Sequence, residues 1–134
     1  MKLRSKILSV LSTTAVLAGG ATVLASPASA ECTTCEPLVR ATVFTNGTPA
    51  GEVRFKSYGE HLYVRDFKQD GMAVVAEYYI GNSDPLYRAR NTVGVGYTLD
   101  VDLNVPERWM VQFRACVYKG NTRGSCSGWI TDYA

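Results

Sequence analysis

From Val39 onward the apolar residues of this chain recur at every second position, and turn signals interrupt them repeatedly. Val39, Ala41 and Val43 alternate with Arg40, Thr42 and Phe44, and the run stops at Asn46-Gly47. Val53 and Phe55 alternate with Glu52, Arg54 and Lys56, and Leu62, Val64 and Asp66 with Tyr63, Arg65 and Phe67. A turn at Gln69-Asp70-Gly71 leads into Met72 to Ile80, apolar on both faces and therefore expected at the centre of a sheet. Tyr97 to Asn104 alternates again, Met110 to Tyr118 reads as a further strand, and Trp129-Ile130 closes the chain. A period of two places one side of each strand in a core and the other in water. No helical period, repeat or low-complexity segment competes with it. The expectation is an all-β fold, a small antiparallel β-sandwich or barrel of about seven short strands with an extended N-terminal segment. The longest irregular stretch is Asn82 to Gly96, which reads either as a binding loop or as a solvated connection containing a weak edge strand.

Residues 1–30 have the form of a secretory signal peptide. Lys2, Arg4 and Lys6 are its positive region, Ile7 to Leu24 its mostly apolar stretch, and Ala28-Ser29-Ala30 its small-residue cleavage pattern. The expected organisation is a leader at 1–30, an extended segment at 31–38 and a single β domain at 39–134. Removing the leader leaves roughly 100 residues, enough for one core but a marginal one. It also removes three of the fourteen basic residues, so the overall charge of +2 becomes about −1. No basic stripe is visible along the mature chain, which argues against nucleic-acid binding. No later apolar run is long enough to span a bilayer as a helix. The product is expected to be secreted and extracellular.

Export permits disulfides, and Cys32, Cys35, Cys116 and Cys126 allow three pairings. Proximity favours Cys32–Cys35 with Cys116–Cys126, the second clipping a hairpin around Gly120 to Gly124. The alternative ties one N-terminal cysteine to the C-terminal pair. Cys32-Thr33-Thr34-Cys35 has redox spacing, but no strand precedes it and Pro37 follows, so the helix N-terminus that would stabilise a thiolate is missing. Zinc would need the widely spaced Cys116 and Cys126 as co-ligands, which does not fit a zinc-site pattern.

Catalytic chemistry is equally sparse. His61 is the only histidine, and its neighbour Glu60 points to the opposite side of a strand. No nucleophile motif accompanies them. Asp66 to Gly71 loosely matches a calcium loop, but Lys68 stands where an oxygen ligand is needed, and Glu77 reaches the final position only in one register. Asp100, Asp102 and Asn104 share a strand face and read as its solvated side. Glu60 with Glu77 as a glycosidase pair is selected by nothing in the pattern. The chain is therefore read as non-enzymatic, with no catalytic residue, cofactor or metal assigned. Its tyrosines, with Trp109 and Trp129, suit both strand cores and binding surfaces.

Phe55, Tyr58-Gly59-Glu60-His61, Asp66, Asp70-Gly71, Phe113-Arg114-Ala115-Cys116 and Cys126-Ser127-Gly128-Trp129 together resemble small secreted β-proteins of Streptomyces and related actinobacteria. Within that group the cysteine-bearing amino end is similar to the small adaptor of the umbrella toxin particles of Streptomyces. The resemblance implies an adaptor in an antibacterial toxin particle, active in interbacterial competition. One implied partner is a large secreted toxin protein with alanine-leucine-phenylalanine-rich repeats. The other is a secreted lectin-bearing protein with a trypsin-like domain. It further implies that Glu31, Cys32, Thr33, Thr34, Cys35, Glu36, Pro37 and Leu38 enter a cleft of the lectin-bearing partner while the β body grips the repeats. Residue-level carry-over stops at Cys32 and Cys35. A disulfide-closed tip would lose little entropy on docking, and Leu38 to Phe44 would suit strand addition to a partner edge. A clipped terminus with no partner is the plain alternative. Beside the adaptor stand two other expectations: a secreted protease or hydrolase inhibitor presenting the 82–96 stretch, and an extracellular enzyme.

Overall fold

The computed structural model describes residues 38–134. The leader at 1–30 and the segment 31–37, with Cys32 and Cys35, lie outside the described residues, and Leu38 enters the fold as an exposed residue. The described chain is all-β, with nine strands in two antiparallel, sandwich-like sheets. The strands are β1 (Val39–Thr45), β2 (Thr48–Lys56), β3 (His61–Asp66), β4 (Ala73–Ile80), β5 (Ser83–Arg90), β6 (Thr98–Asp102), β7 (Met110–Lys119), β8 (Thr122–Cys126) and β9 (Ile130–Tyr133). The first sheet runs β1-β2-β3-β6. The second runs β5-β4-β7-β8, with β9 also paired to β7. Among the described residues no helix is long and apolar enough to cross a membrane.

The turns follow from their residues. Asn46 and Gly47 both take positive φ (52° and 76°), the requirement of the tight two-residue turn that matches strand twist. They join β1 to β2 in the register Thr45 to Thr48. The nearby Lys68 ammonium donates to Thr45 O (3.1 Å), Thr45 Oγ1 (2.8 Å) and Thr48 Oγ1 (2.5 Å). The residue that spoiled the calcium pattern is thus itself the cation that ties down this turn.

The core lies between the sheets. Ala41, Val43, Val53, Phe55, Leu62 and Val64 of the first sheet face Val74, Ala76, Val111, Phe113, Ala115 and Val117 of the second, all at most 2 % exposed. Phe55 and Phe113 meet across the interface with ring centroids 6.1 Å apart. Gly51 marks a close approach: a Cβ there would stand 2.3 Å from Val74 Cγ2 and 2.7 Å from the Arg65 carbonyl oxygen.

The alternation-derived strands are present, and β4 lies inside its sheet as its double-sided apolar run requires. The 82–96 stretch does contain an edge strand, and a longer one than a weak strand inside a loop. Most of it is the full strand β5, paired with β4 from Val75–Arg90 to Ile80–Ser83. Irregular backbone is left only between β5 and β6. There Asn91, 2 % exposed, donates through Nδ2 to Val64 O (3.1 Å) and Tyr97 O (3.0 Å), and its Oδ1 accepts from the amides of Val93 and Gly94. One buried asparagine therefore holds this connection to the first sheet.

Strand β7 carries two partners along one edge. Its C-terminal half pairs with β8 and its N-terminal half with β9. The link between them, Ser127-Gly128-Trp129, leaves the ladder but stays anchored: Ser127 N donates to Ala115 O (2.8 Å), and Ala115 N to Ser127 Oγ (3.0 Å). Cys116 and Cys126 are directly opposed and form a disulfide, the pairing favoured from sequence.

Candidate functional site

Strand parity puts Val74, Ala76 and Tyr78 of β4 in the core and Val75, Glu77 and Tyr79 on the outer face of the second sheet. Register then sets Arg88 and Arg114 on either side of Glu77, and Arg90 and Cys116 on either side of Val75. The outward face of this sheet gathers four arginines, Arg88, Arg90, Arg114 and Arg123, around one acid among the described side chains.

Glu77 is completely buried. Its Oε2 accepts from Arg114 Nη2 (2.6 Å) and Nε (2.9 Å), and its Oε1 from Arg88 Nε (3.3 Å) and from the Tyr118 hydroxyl. Arg123 Nη1 adds an ion pair at 3.6 Å. Burial alone would push this carboxyl up. The hydrogen bonds from Tyr118, Arg114 and Arg88, with the Arg114 charge, outweigh it and hold the pKa below the ordinary value. Burial and the bond to the Glu77 carboxylate push Tyr118 the other way, upward. The glutamate is thus an ionised centre that fixes the arginines in place.

Two aromatic contacts extend the cluster. The Ser127–Trp129 detour lays the Trp129 indole against the Arg114 guanidinium (4.4 Å to the ring centroid) and beside Tyr79 (5.3 Å between centroids). At the other end Arg90 packs over Tyr118 (5.5 Å) and donates to the Gly120 carbonyl. There the face runs into a shallow depression of about 280 Å³ lined by Asp66, Met72, Arg90, Thr92 and Tyr118. Arg114 is largely covered, whereas Arg88 and Arg123 keep 54 % and 50 % of their side-chain surface in solvent.

Other sequence candidates fall elsewhere. His61 is partly exposed at the start of β3, where its Nδ1 lies 2.6 Å from Asp100 Oδ1 and its ring stacks on Tyr63. Asp102 Oδ1 accepts from the amide of Asn104 (3.0 Å). Asp66 is buried and accepts from Lys68 N (2.9 Å). Desolvation raises its pKa, the Lys68 amide opposes this, and Asp70 adds to the rise. Glu60 sits in the turn before β3 with positive φ, while Glu77 lies in the other sheet with both oxygens engaged, so the two carboxylates do not form a pair. Glu77, Cys116 and Cys126 come within 4.8 Å of one another, but the disulfide consumes both thiols and leaves no thiolate donor.

The sequence reading missed the arginine cluster. Its signal was a lone glutamate inside the apolar run from Ala73 to Ile80, since a charge in such a run is buried only when paired. The fold and site define a disulfide-clipped β-sandwich with an arginine-rich outer sheet face. Neither known protein families, nor curated proteins, nor solved structures yield a match to this chain.

Proposed function

We propose that this protein is a secreted, non-enzymatic adaptor that joins a large repeat-containing toxin subunit to a lectin-bearing subunit in an antibacterial particle. The observation that supports a binding role is the outer face of the second sheet, where Glu77 holds arginines rigidly and Arg88, Arg123 and Trp129 remain open to solvent. Arginine and tryptophan held in fixed positions are the residue types that carry binding energy at protein interfaces. The assignment of the two partners rests on the resemblance of the cysteine-bearing amino end to the umbrella-particle adaptor. In this reading residues 31–38 engage the lectin-bearing subunit and lead directly into β1, an edge strand of the first sheet, while the sandwich grips the repeats. For the alternative reading as an inhibitor, the part of 82–96 that stays outside the strands is the connection between β5 and β6, which carries the exposed Val93 and Val95.

The test is affinity purification of a C-terminally tagged copy from native culture supernatant, with mass spectrometry of what comes down. Recovery of both a large repeat-bearing toxin and a lectin-bearing protein is the expected result. The chain alone, or with a single hydrolase, overturns it. In the same experiment Cys32→Ser with Cys35→Ser should leave the sandwich folded and weaken capture of the lectin-bearing protein. Loss of the fold in that variant would sink the hook.

A further inference from the structure

We infer that the outer face of the second sheet docks an acidic peptide segment of a protein partner, with Arg88 and Arg123 receiving its carboxylates and Trp129 its apolar side chain. This rests on the reading of the chain as a binding protein and adds the chemistry of one partner.

The first ground is an excess of charge. One arginine balances the charge of a buried carboxylate, and Arg114 does this for Glu77 with two hydrogen bonds to Oε2, while the neutral Tyr118 hydroxyl serves Oε1. Arg88 and Arg123 bring two more positive charges to within 4.0 Å of the same group, and Arg90 stands one register position away. A network serving stability alone would stop near neutrality, because each added guanidinium repels those present. The surplus is relieved when a second anion arrives.

The second ground is the direction of the unused donors. Arg88 reaches Glu77 through Nε, and Arg123 approaches it only at 3.6 Å, so both keep guanidinium edges facing out, with half of each side chain exposed. A guanidinium edge matches a carboxylate, and the cluster already holds one in Glu77. The third ground is shape. The charges converge on a point, and β7 continues from Arg114 to the neutral Gln112, opposite Thr131 of β9. A polynucleotide needs cations spaced along a track to meet successive phosphates. A few carboxylates beside an apolar residue need a compact positive spot next to an exposed indole, and Trp129 is 37 % exposed against Arg114.

The probes are short fluorescent peptides in which Glu or Asp residues flank a Leu or Phe, with Gln and Asn copies as controls. Oligothymidylate and a heparin fragment serve as rival anions, and binding to the secreted full chain is read by anisotropy. The variant is Arg88→Gln with Arg123→Gln, which removes two charges without setting an acid against Glu77. The expected result is carboxylate-dependent binding by the parent and a loss of at least about tenfold in the variant, at an unchanged circular dichroism spectrum. Should that variant misfold, Trp129→Ala carries the test, with weaker peptide binding expected. Absence of carboxylate-dependent binding, equal binding by a folded variant, or tighter binding of oligothymidylate or heparin overturns the proposal. The two readings fail separately: if the folded Arg88→Gln, Arg123→Gln variant still captures both particle subunits from supernatant, the adaptor stands and this docking face does not, whereas carboxylate-dependent peptide binding by a parent chain that captures neither subunit leaves the docking face and removes the adaptor.

Discussion

Each sheet turns its outer face to water and buries one glutamate in it, and the two glutamates are treated differently. On the first sheet Glu52, 3 % exposed, pairs through Oε1 with Arg54 on its own strand and through Oε2 with Arg40 at 4.0 Å. That face carries Arg40, Arg54, Lys56 and Arg65 against Glu52, Asp100 and Asp102, so its charges nearly cancel. On the second sheet Glu77 receives donors from three residues and a further ion pair, so three arginines answer to it, with Arg90 one register position away. Burial of an acid therefore does not by itself mark a special surface. A fully bonded acid carrying surplus cations does, because the surplus adds nothing to folding.

Neutralising the two acids should separate them most sharply. Glu77→Gln leaves three guanidiniums without their counter-ion, and the loss is expected near the low end for a broken buried pair, about 3 kcal/mol, since Arg88 and Arg123 remain partly in water. Glu52→Gln should lose about 1 kcal/mol, as its partners are fewer. Urea unfolding of both variants decides the matter, and equal losses would erase the distinction.

Removing the clip that joins β7 to β8 comes next. Cys116→Ser with Cys126→Ser should lose about 2–3 kcal/mol by the loop-entropy relation. It should also loosen Arg123, which β8 carries, and leave the His61–Asp100 side of the molecule unchanged in NMR spectra. Tyr118→Phe takes one hydroxyl from Glu77 and should lose about 1–2 kcal/mol in the same unfolding experiment.

The smallest effect is in the pH profile. Glu77 titrates below its ordinary value in the folded protein, so its contribution is present at neutral pH and is lost as pH falls below about 4. Asp66 is raised, so it contributes in the opposite sense: protonation favours the fold, and that gain disappears as pH rises through its folded pKa. Glu77→Gln should therefore flatten the acid limb of the stability curve, and Asp66→Asn should steepen it. Parallel limbs for all three proteins would refute the assignment.

Much of the fold was legible because alternation is local. Ala41 and Val43, Leu62 and Val64, and Phe113 and Ala115 each announce the buried side of their strand. Strand β5 read only as a weak edge strand because Pro85 and the Gly81-Asn82 turn obscure a short alternation in which Tyr87 and Ala89 face inward and Arg88 and Arg90 outward. The cluster was harder still. Glu77 finds its partners 11 and 37 residues away, at places fixed by strand register, which a local pattern does not encode. The same nonlocality explains why a chain with no basic stripe in its sequence carries a basic face in its fold.

The indole laid against Arg114 also gives the molecule its own optical gauge. Trp109 and Trp129 are the only tryptophans in the chain, and both are partly in water. Trp129 alone rests on a guanidinium of the Glu77 cluster. With Trp109 replaced by phenylalanine, the tryptophan emission comes from one ring whose colour and intensity follow the charge beside it. Occupancy of the sheet face then becomes readable in a cuvette, without a label.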